Sequence, residues 1–438
     1  MKKISFFVLC VLVVIPPMLR GSVHLWAETL IQMLVLTGGV MVVLGRYVFV
    51  DKKAYVNLSG PGKMPGQAAI ESRRNNRKAV QSSPRRKKQN VWMAVLPLGL
   101  LVAISTLFSP HKSLAMEGLV SLLVCLVIFY IARHTLCLRK EQRWMVYVII
   151  GMGLFLSFFG MLKLFNMGIP GLWEYAEILR PGSTSLSGPY VNRNHMAGFL
   201  DMVIPMMLGL FLTRERSPEM RLGMICLVLF LIVTQAMTLS RGGWTATVGA
   251  MIFMMMVLMF RKDFYNKRLL LFIVVGIVVV GTLLLASTPV VQRINTLIEN
   301  DAADNLEGRM RMWKGTRQMI ADHLLTGTGP GTFTEAYPAY QEPGAAVLAA
   351  YAHNDYLQFM ADCGVLVIPV MAWLLFLFFR AGFTQMNNRS RQIRGITLGV
   401  MGAVVAILIH SFSDFNLHTP ANAVLFTVLF AMVGGRSH

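Results

Sequence analysis

Four short polar runs interrupt an otherwise apolar chain: Gly188-Pro189-Tyr190-Val191-Asn192-Arg193-Asn194-His195, Ser240-Arg241-Gly242, Glu307-Gly308-Arg309 and His353-Asn354-Asp355-Tyr356. Their side chains are of the kinds that hold an anion and move a proton. A guanidinium presents a planar fork that meets two phosphate oxygens at once. An imidazole titrates close enough to neutrality to act as a general base. Arg241 breaks an apolar stretch running from 222 to 260. An arginine costs about 2.5–3.5 kcal/mol at the centre of a spanning helix, and Gly242-Gly243 interrupts the run, so Arg241 belongs at an outer helix end. Two readings stand for it: an interfacial arginine that snorkels, or an anion site facing a cavity. Arg309 and its neighbour Arg311, with Arg317 about two turns further on, read either as solvated helix charges or as part of the same site.

His353 opens a dense polar run just before an apolar segment. Asp355 could orient it, although residues two apart on a helix point away from each other. An N-cap role for Asn354 or Asp355 competes with that reading. A cap also accounts for one asparagine of Asn192-Arg193-Asn194-His195, but not for four polar groups in a row. His410, Ser411, Ser413 and Asp414 close another apolar stretch and either line the same cavity or cap a helix. Gly327-Thr328-Gly329-Pro330-Gly331 has the glycines of a phosphate loop. It lacks the Lys-Ser/Thr pair and follows no strand, and Pro330 has no amide to donate, which leaves a tight turn.

The elements that must position these residues are helices. The chain has 438 residues, 55% hydrophobic and 14% charged, where soluble domains carry about 25% charged residues. Apolar runs of spanning length fall at 4–19, 28–50, 91–109, 113–132, 144–165, 195–213, 222–240, 243–260, 269–287, 364–380, 396–412 and 419–434. Lipid-exposed backbone must satisfy itself within a helix or a closed barrel, and the short alternating strands of a barrel are missing. The fold class read here is all-α, a polytopic membrane protein with twelve spans. Alternating from Lys2-Lys3 inside, 30 of the 41 Lys and Arg fall on one side. That is the positive-inside bias, with both termini in the cytoplasm and the polar runs on the opposite face. The net charge of +20 is thereby a membrane signature, with contact to anionic lipid headgroups as a secondary role. No aromatic stacking pattern accompanies it, which argues against nucleic acid.

In domain terms, 1–50 holds two spans and 51–90 reads as a basic, disordered cytoplasmic linker. Residues 91–287 hold further spans, 288–363 form a large outer loop, and 364–438 hold the last spans. The outer loop carries nine acids against five bases. Within it, Leu306, Met310 and Trp313 share helical spacing and predict an amphipathic helix over 305–323 with those residues as its apolar face. Span 4–19 reads as a retained helix, since Pro16-Pro17 and Arg20 stand where a cleavage site would be. The five cysteines show no metal-ligating or disulfide spacing, and neither a metal nor a cofactor is expected.

In this order, the polar runs resemble the O-antigen ligase and polymerase superfamily. The matching residues are Gly188 to His195 with Ala197-Gly198, Leu239-Ser240-Arg241-Gly242, Gly308-Arg309-Met310-Arg311-Met312-Trp313, Gly327 to Phe333, His353-Asn354-Asp355-Tyr356-Leu357-Gln358, and His410 with Asp414, Leu417 and Pro420. They cover about 185–425. The resemblance implies a membrane-embedded, metal-independent inverting glycosyltransferase of the GT-C-like type in the bacterial inner membrane, with its site on the periplasmic face. It implies an undecaprenyl-diphosphate-linked glycan as donor, and lipid A–core, a growing polysaccharide or a protein as acceptor. By the same resemblance Arg241 and Arg309 hold the diphosphate and His353 activates the acceptor hydroxyl. Asn192, Arg193, Asn194, His195, Arg311, Asp355, Tyr356 and His410 are the expected substrate-binding residues. A twelve-helix transporter or a polysaccharide flippase is the alternative from another class. Against it stand the absence of matched broken helices in two halves and the gathering of polar residues at one face.

Overall fold

The structure, a computed structural model, describes residues 2–56, 92–165, 186–212, 217–261, 306–342 and 349–433. Among these residues the regular structure is helical. The helices are α1 (Lys2–Met18), α2 (Leu25–Val56), α3 (Trp92–Phe108), α4 (Lys112–Thr135), α5 (Arg139–Leu164), α6 (Arg193–Phe211), α7 (Pro218–Met237) and α8 (Arg241–Met259). After them come α9 (Leu306–Asp322), α10 (Phe333–Ala336), α11 (Asp355–Cys363), α12 (Val367–Gln385), α13 (Arg391–His410) and α14 (Pro420–Met432). Eight of these are long and apolar enough to cross a membrane, and three shorter apolar helices, within α1, α3 and α14, accompany them. Eleven of the twelve expected spans coincide with these helices. The twelfth, 269–287, lies outside the described residues, as does most of the expected linker. The helix of α2 runs on through Asp51-Lys52-Lys53 to Val56, so the first six residues of that linker are helical.

Two helices form the centre. Every residue of α6 is buried, and most of α13 is as well. Lipid tails are as apolar as leucine, so burial alone does not hold two spanning helices together; close backbone approach does. A Cβ on Gly209 would collide with the Gly395 carbonyl and stand 2.8 Å from Gly399 Cα. A Cβ on Gly399 would meet the Pro205 carbonyl at 2.9 Å. The Gly209→Val variant is therefore expected to separate α6 from α13 at an overpacking cost of about 1–3 kcal/mol or more. A fall in melting temperature and folded yield in detergent would show it, and a wild-type melting curve would contradict this packing.

Outside the bundle, α9 and residues 327–342 and 349–352 form a cap around a small core of Met312, Met319, Ile320, Phe333, Tyr337, Ala352 and Ala361. Trp313 Nε1 donates to the Ala352 carbonyl at 2.9 Å. The buried face of α9 is thus Met312, Thr316, Met319 and Ile320, with Trp313 half-buried beside it; of the expected face Met310 is the residue that turns outward, and the Leu306 side chain lies outside the described ones. Met310 is 59% exposed. The helix docks on its own loop, and a buried threonine completes the face where apolar spacing alone shows a gap.

The glycine turn fastens this cap to the bundle. Gly327, Gly329 and Gly331 all have positive φ, a conformation that glycine adopts without a Cβ clash. Gly329 donates to the Asp362 carbonyl at 2.9 Å and Gly331 to its side-chain Oδ2 at 3.2 Å. Ser109 Oγ donates to the Thr328 carbonyl at 2.6 Å. Two of the turn's amides are thus spent on Asp362, as a structural turn requires and a phosphate loop would not.

Candidate active site

Helix ends bring the polar runs together. At the start of α6, Asn192 accepts from the Asn194 amide at 2.9 Å, a cap that leaves Arg193 and Asn194 to face a cleft. At the start of α8, Ser240 caps by accepting from Gly243 N at 3.2 Å. Leu239, just before it, holds φ at 55°, a left-handed conformation rare for a branched residue and common at functional sites. This bend sets Arg241 in the first turn of α8, where the helix N-terminus itself favours an anion.

The cleft is lined by Arg193, Asn194, Leu239, Ser240, Arg241, Gly242, Arg309, His410, Ser413 and Asp414. Arg309 reaches it from the first turns of α9. Three arginines from three separate helices therefore line one cleft. Arg311 is exposed on α9 and is not among the lining residues.

Behind the cleft lies an acid that gathers histidines. Asp414 is fully buried, with His353 Nδ1 at 3.3 Å and His195 Nε2 at 3.9 Å from its Oδ1. Burial by itself raises a carboxyl, but His353, then His195 and His410, outweigh it and hold Asp414 well below the usual carboxylate range. Phe415 packs edge-on against both rings, with centroids 4.7 Å from His195 and 4.9 Å from His353. His353 has φ of 46°. This bend turns it towards Asp414 while the next residues start α11.

Asp355 does not orient His353. Its carboxylate accepts from His418 Nδ1 at 2.7 Å, from Ser411 Oγ at 2.7 Å and from Leu417 N at 3.1 Å. Asn354 is the cap, accepting from the Tyr356 and Leu357 amides. Tyr356 donates to the Leu408 carbonyl at 2.8 Å, and burial, with the charge of Asp355, pushes its hydroxyl up to about 12. It ties α11 to α13 and is not among the residues that line the cleft.

His418 also stands 3.9 Å from Asp362. Burial lowers an imidazole's affinity for its proton, but Asp355 and then Asp362 lift His418 above its ordinary value. Burial pushes Asp362 up to about 6, against the pull of His418, the Gly331 amide and Gln358. Both groups hold protons in the fold that the unfolded chain releases earlier. The contribution of Asp362 is complete below about pH 4 and drains as pH rises through about 6, whereas that of His418 is complete below about 6.5, the ordinary imidazole value, and drains above it. The melting temperature in detergent is expected to fall between pH 5 and 7.5, less so in Asp362→Asn. A melting temperature that rises over this window would refute that account of the cluster.

His410 sits at the end of α13 with Nδ1 donating to Asp201 Oδ2 at 2.7 Å. Asp201 and His418 were not among the residues singled out as site candidates, whereas Asp414 was expected either to line the cavity or to cap a helix, and it lines the cleft. Asp201 had a legible signal: it is the one acid in the apolar run 195–213, and intramembrane acids mark functional sites. His418 had none.

Comparison with protein families matches residues 225–372 to the O-antigen ligase family, Wzy_C. No curated protein matches the chain. The family match bears out the resemblance to the O-antigen ligase and polymerase superfamily read from the motifs. It takes in Arg241, Arg309 and His353, whereas the runs at 188–195 and 410–420 lie outside the matched stretch. Glycan transfer of the O-antigen ligase type by a multi-pass membrane protein is what this supports.

Proposed function

We propose that the chain transfers a glycan from undecaprenyl diphosphate to an acceptor hydroxyl at the periplasmic face of the bacterial inner membrane, without a metal. The observation that carries this reading is the cleft shared by Arg193, Arg241 and Arg309 beside the His353–Asp414 pair. The acceptor is lipid A–core or a growing surface polysaccharide.

In the transfer step the acceptor oxygen bonds to the anomeric carbon as the bond from that carbon to the phosphate oxygen breaks. The electron pair of the broken bond leaves on the diphosphate, so negative charge grows there. Guanidinium groups fixed at the cleft meet that charge without reorganising, which is where electrostatic catalysis is strongest. The acceptor's proton passes to His353, whose Nδ1 faces Asp414, so the imidazolium forms beside a buried carboxylate. The lipid tail of the donor explains a cleft built from the ends of spanning helices. The positive-inside bias of the sequence supports an outward position for those ends.

The experiment is reconstitution. Purified protein in liposomes is given undecaprenyl-diphosphate glycan, candidate acceptors and a chelator, and the products are identified by mass. Glycosylated acceptor with release of undecaprenyl diphosphate is expected. Unchanged donor with every acceptor, or donor moved across the bilayer unreacted, would contradict the proposal.

A further inference from the structure

One buried ionisable pair takes no part in the step above. Asp201 lies wholly inside α6 and is met by three donors: His410 Nδ1 at 2.7 Å, Gln235 Nε2 at 2.7 Å and Thr247 Oγ1 at 2.7 Å. These come from α13, α7 and α8, so four helices meet on one carboxylate. Such a set only accepts on the acid's side and fixes the imidazole through its Nδ1–H. The other ring nitrogen, Nε2, then points to the cleft edge, with Ser240 Oγ at 3.5 Å. Gly242 packs close against this ring: a Cβ there would stand 2.7 Å from Cδ2 and 2.9 Å from Nε2 and would collide with Ser413 Oγ. His410 and Ser240 both line the cleft that Arg241 and Arg309 share.

We propose that Asp201 is a positioning residue that aims the Nε2–H of His410 at the donor's diphosphate, making this imidazole a further hydrogen-bond donor beside Arg241 and Arg309. The inference rests on the anion-site reading of the cleft. No proton is transferred in this role: the imidazolium and the Asp201 carboxylate form a pair of no net charge that still presents one N–H to the phosphate. A charge-assisted hydrogen bond of this kind is among the stronger ones a protein makes. Asp201 never touches the substrate and acts through the ring it holds.

The test is direct binding of geranylgeranyl diphosphate to the full chain in detergent, with melting curves on the same samples. His410→Gln and Asp201→Asn are each expected to weaken binding by about tenfold or more, the size of one hydrogen bond to a charged group. The double variant is expected to bind no more weakly than His410→Gln alone, because Asp201 works only through His410. Asp201→Glu, which keeps the carboxylate, is expected to recover part of the affinity. Gly242→Ala, which crowds Nε2 and leaves Asp201 untouched, is expected to weaken binding, and it decides the matter if Asp201→Asn does not fold. Wild-type affinity in His410→Gln, or losses that add in the double variant, would overturn the inference. If Arg309→Ala also binds normally, the anion-site reading fails with it. If Arg309→Ala loses binding while His410→Gln keeps it, only the role of His410 and Asp201 falls.

Discussion

Arg309→Ala and Arg241→Ala are each expected to cut glycan transfer by about a hundred- to a thousandfold, the loss seen when one preorganised donor is taken from a developing anion. Both residues line one cleft, although one begins a spanning helix and the other comes from the cap. The effect is expected mainly in kcat, because the charge they face is greatest as the glycosidic bond breaks. Lysine at either position restores the charge but not the planar fork, and so recovers only part of the rate. Arg241 is exposed, so its alanine variant should insert and melt close to wild type. Turnover of a purified lipid-linked donor, measured with melting curves, checks this. Near-normal transfer in either alanine variant would remove that arginine from the site.

Asp414→Asn is expected to be nearly as damaging, by a different route. The carboxylate lies within 3.3 Å of His353 and 3.9 Å of His195, and in the proposed step it would steady the imidazolium formed when His353 takes the acceptor's proton. General-base catalysis contributes about a hundred- to ten-thousandfold, so a loss of about a hundredfold or more is expected. The pH dependence has a definite sign. Asp414 is held well below the ordinary carboxylate range, so its stabilising effect is fully present above about pH 4 and is lost only in stronger acid. The variant should therefore melt lower than wild type at neutral pH, and the gap should close as the medium becomes strongly acidic. An equal difference across the whole range would show that packing, and not charge, accounts for it.

The spans were legible because lipid leaves the backbone so few solutions. A run such as 222–240 or 396–412 has little choice but to be a helix, and the structure ends α7 and α13 within a few residues of the expected points. The coming together of the polar runs was legible too, since each lies at the same end of its span once the basic loops set the alternation. What one sequence could not show is which acid partners which histidine. Asp355 is two residues from His353 and looked like its partner, yet the left-handed backbone at His353 sends the two side chains apart. Asp414, distant in sequence, takes the place beside it. The face of α9 was misread for a related reason: Met310 and Met312 are both apolar, and only the docked loop selects between them. Asp201 was visible as a lone acid among apolar residues, but its pairing with His410 depends on how α6 and α13 approach through glycine.

The central claim is that a lipid diphosphate is gripped where α6, α8 and α9 meet. A photoreactive undecaprenyl diphosphate, cross-linked to the reconstituted protein and mapped by peptide mass spectrometry, tests it most directly. Adducts are expected on the peptides that carry Arg193, Arg241 and Arg309, and they should vanish with excess unlabelled diphosphate and in the double variant Arg241→Ala, Arg309→Ala. Labelling spread along the lipid-facing helices, or left unchanged by that double variant, would contradict the account.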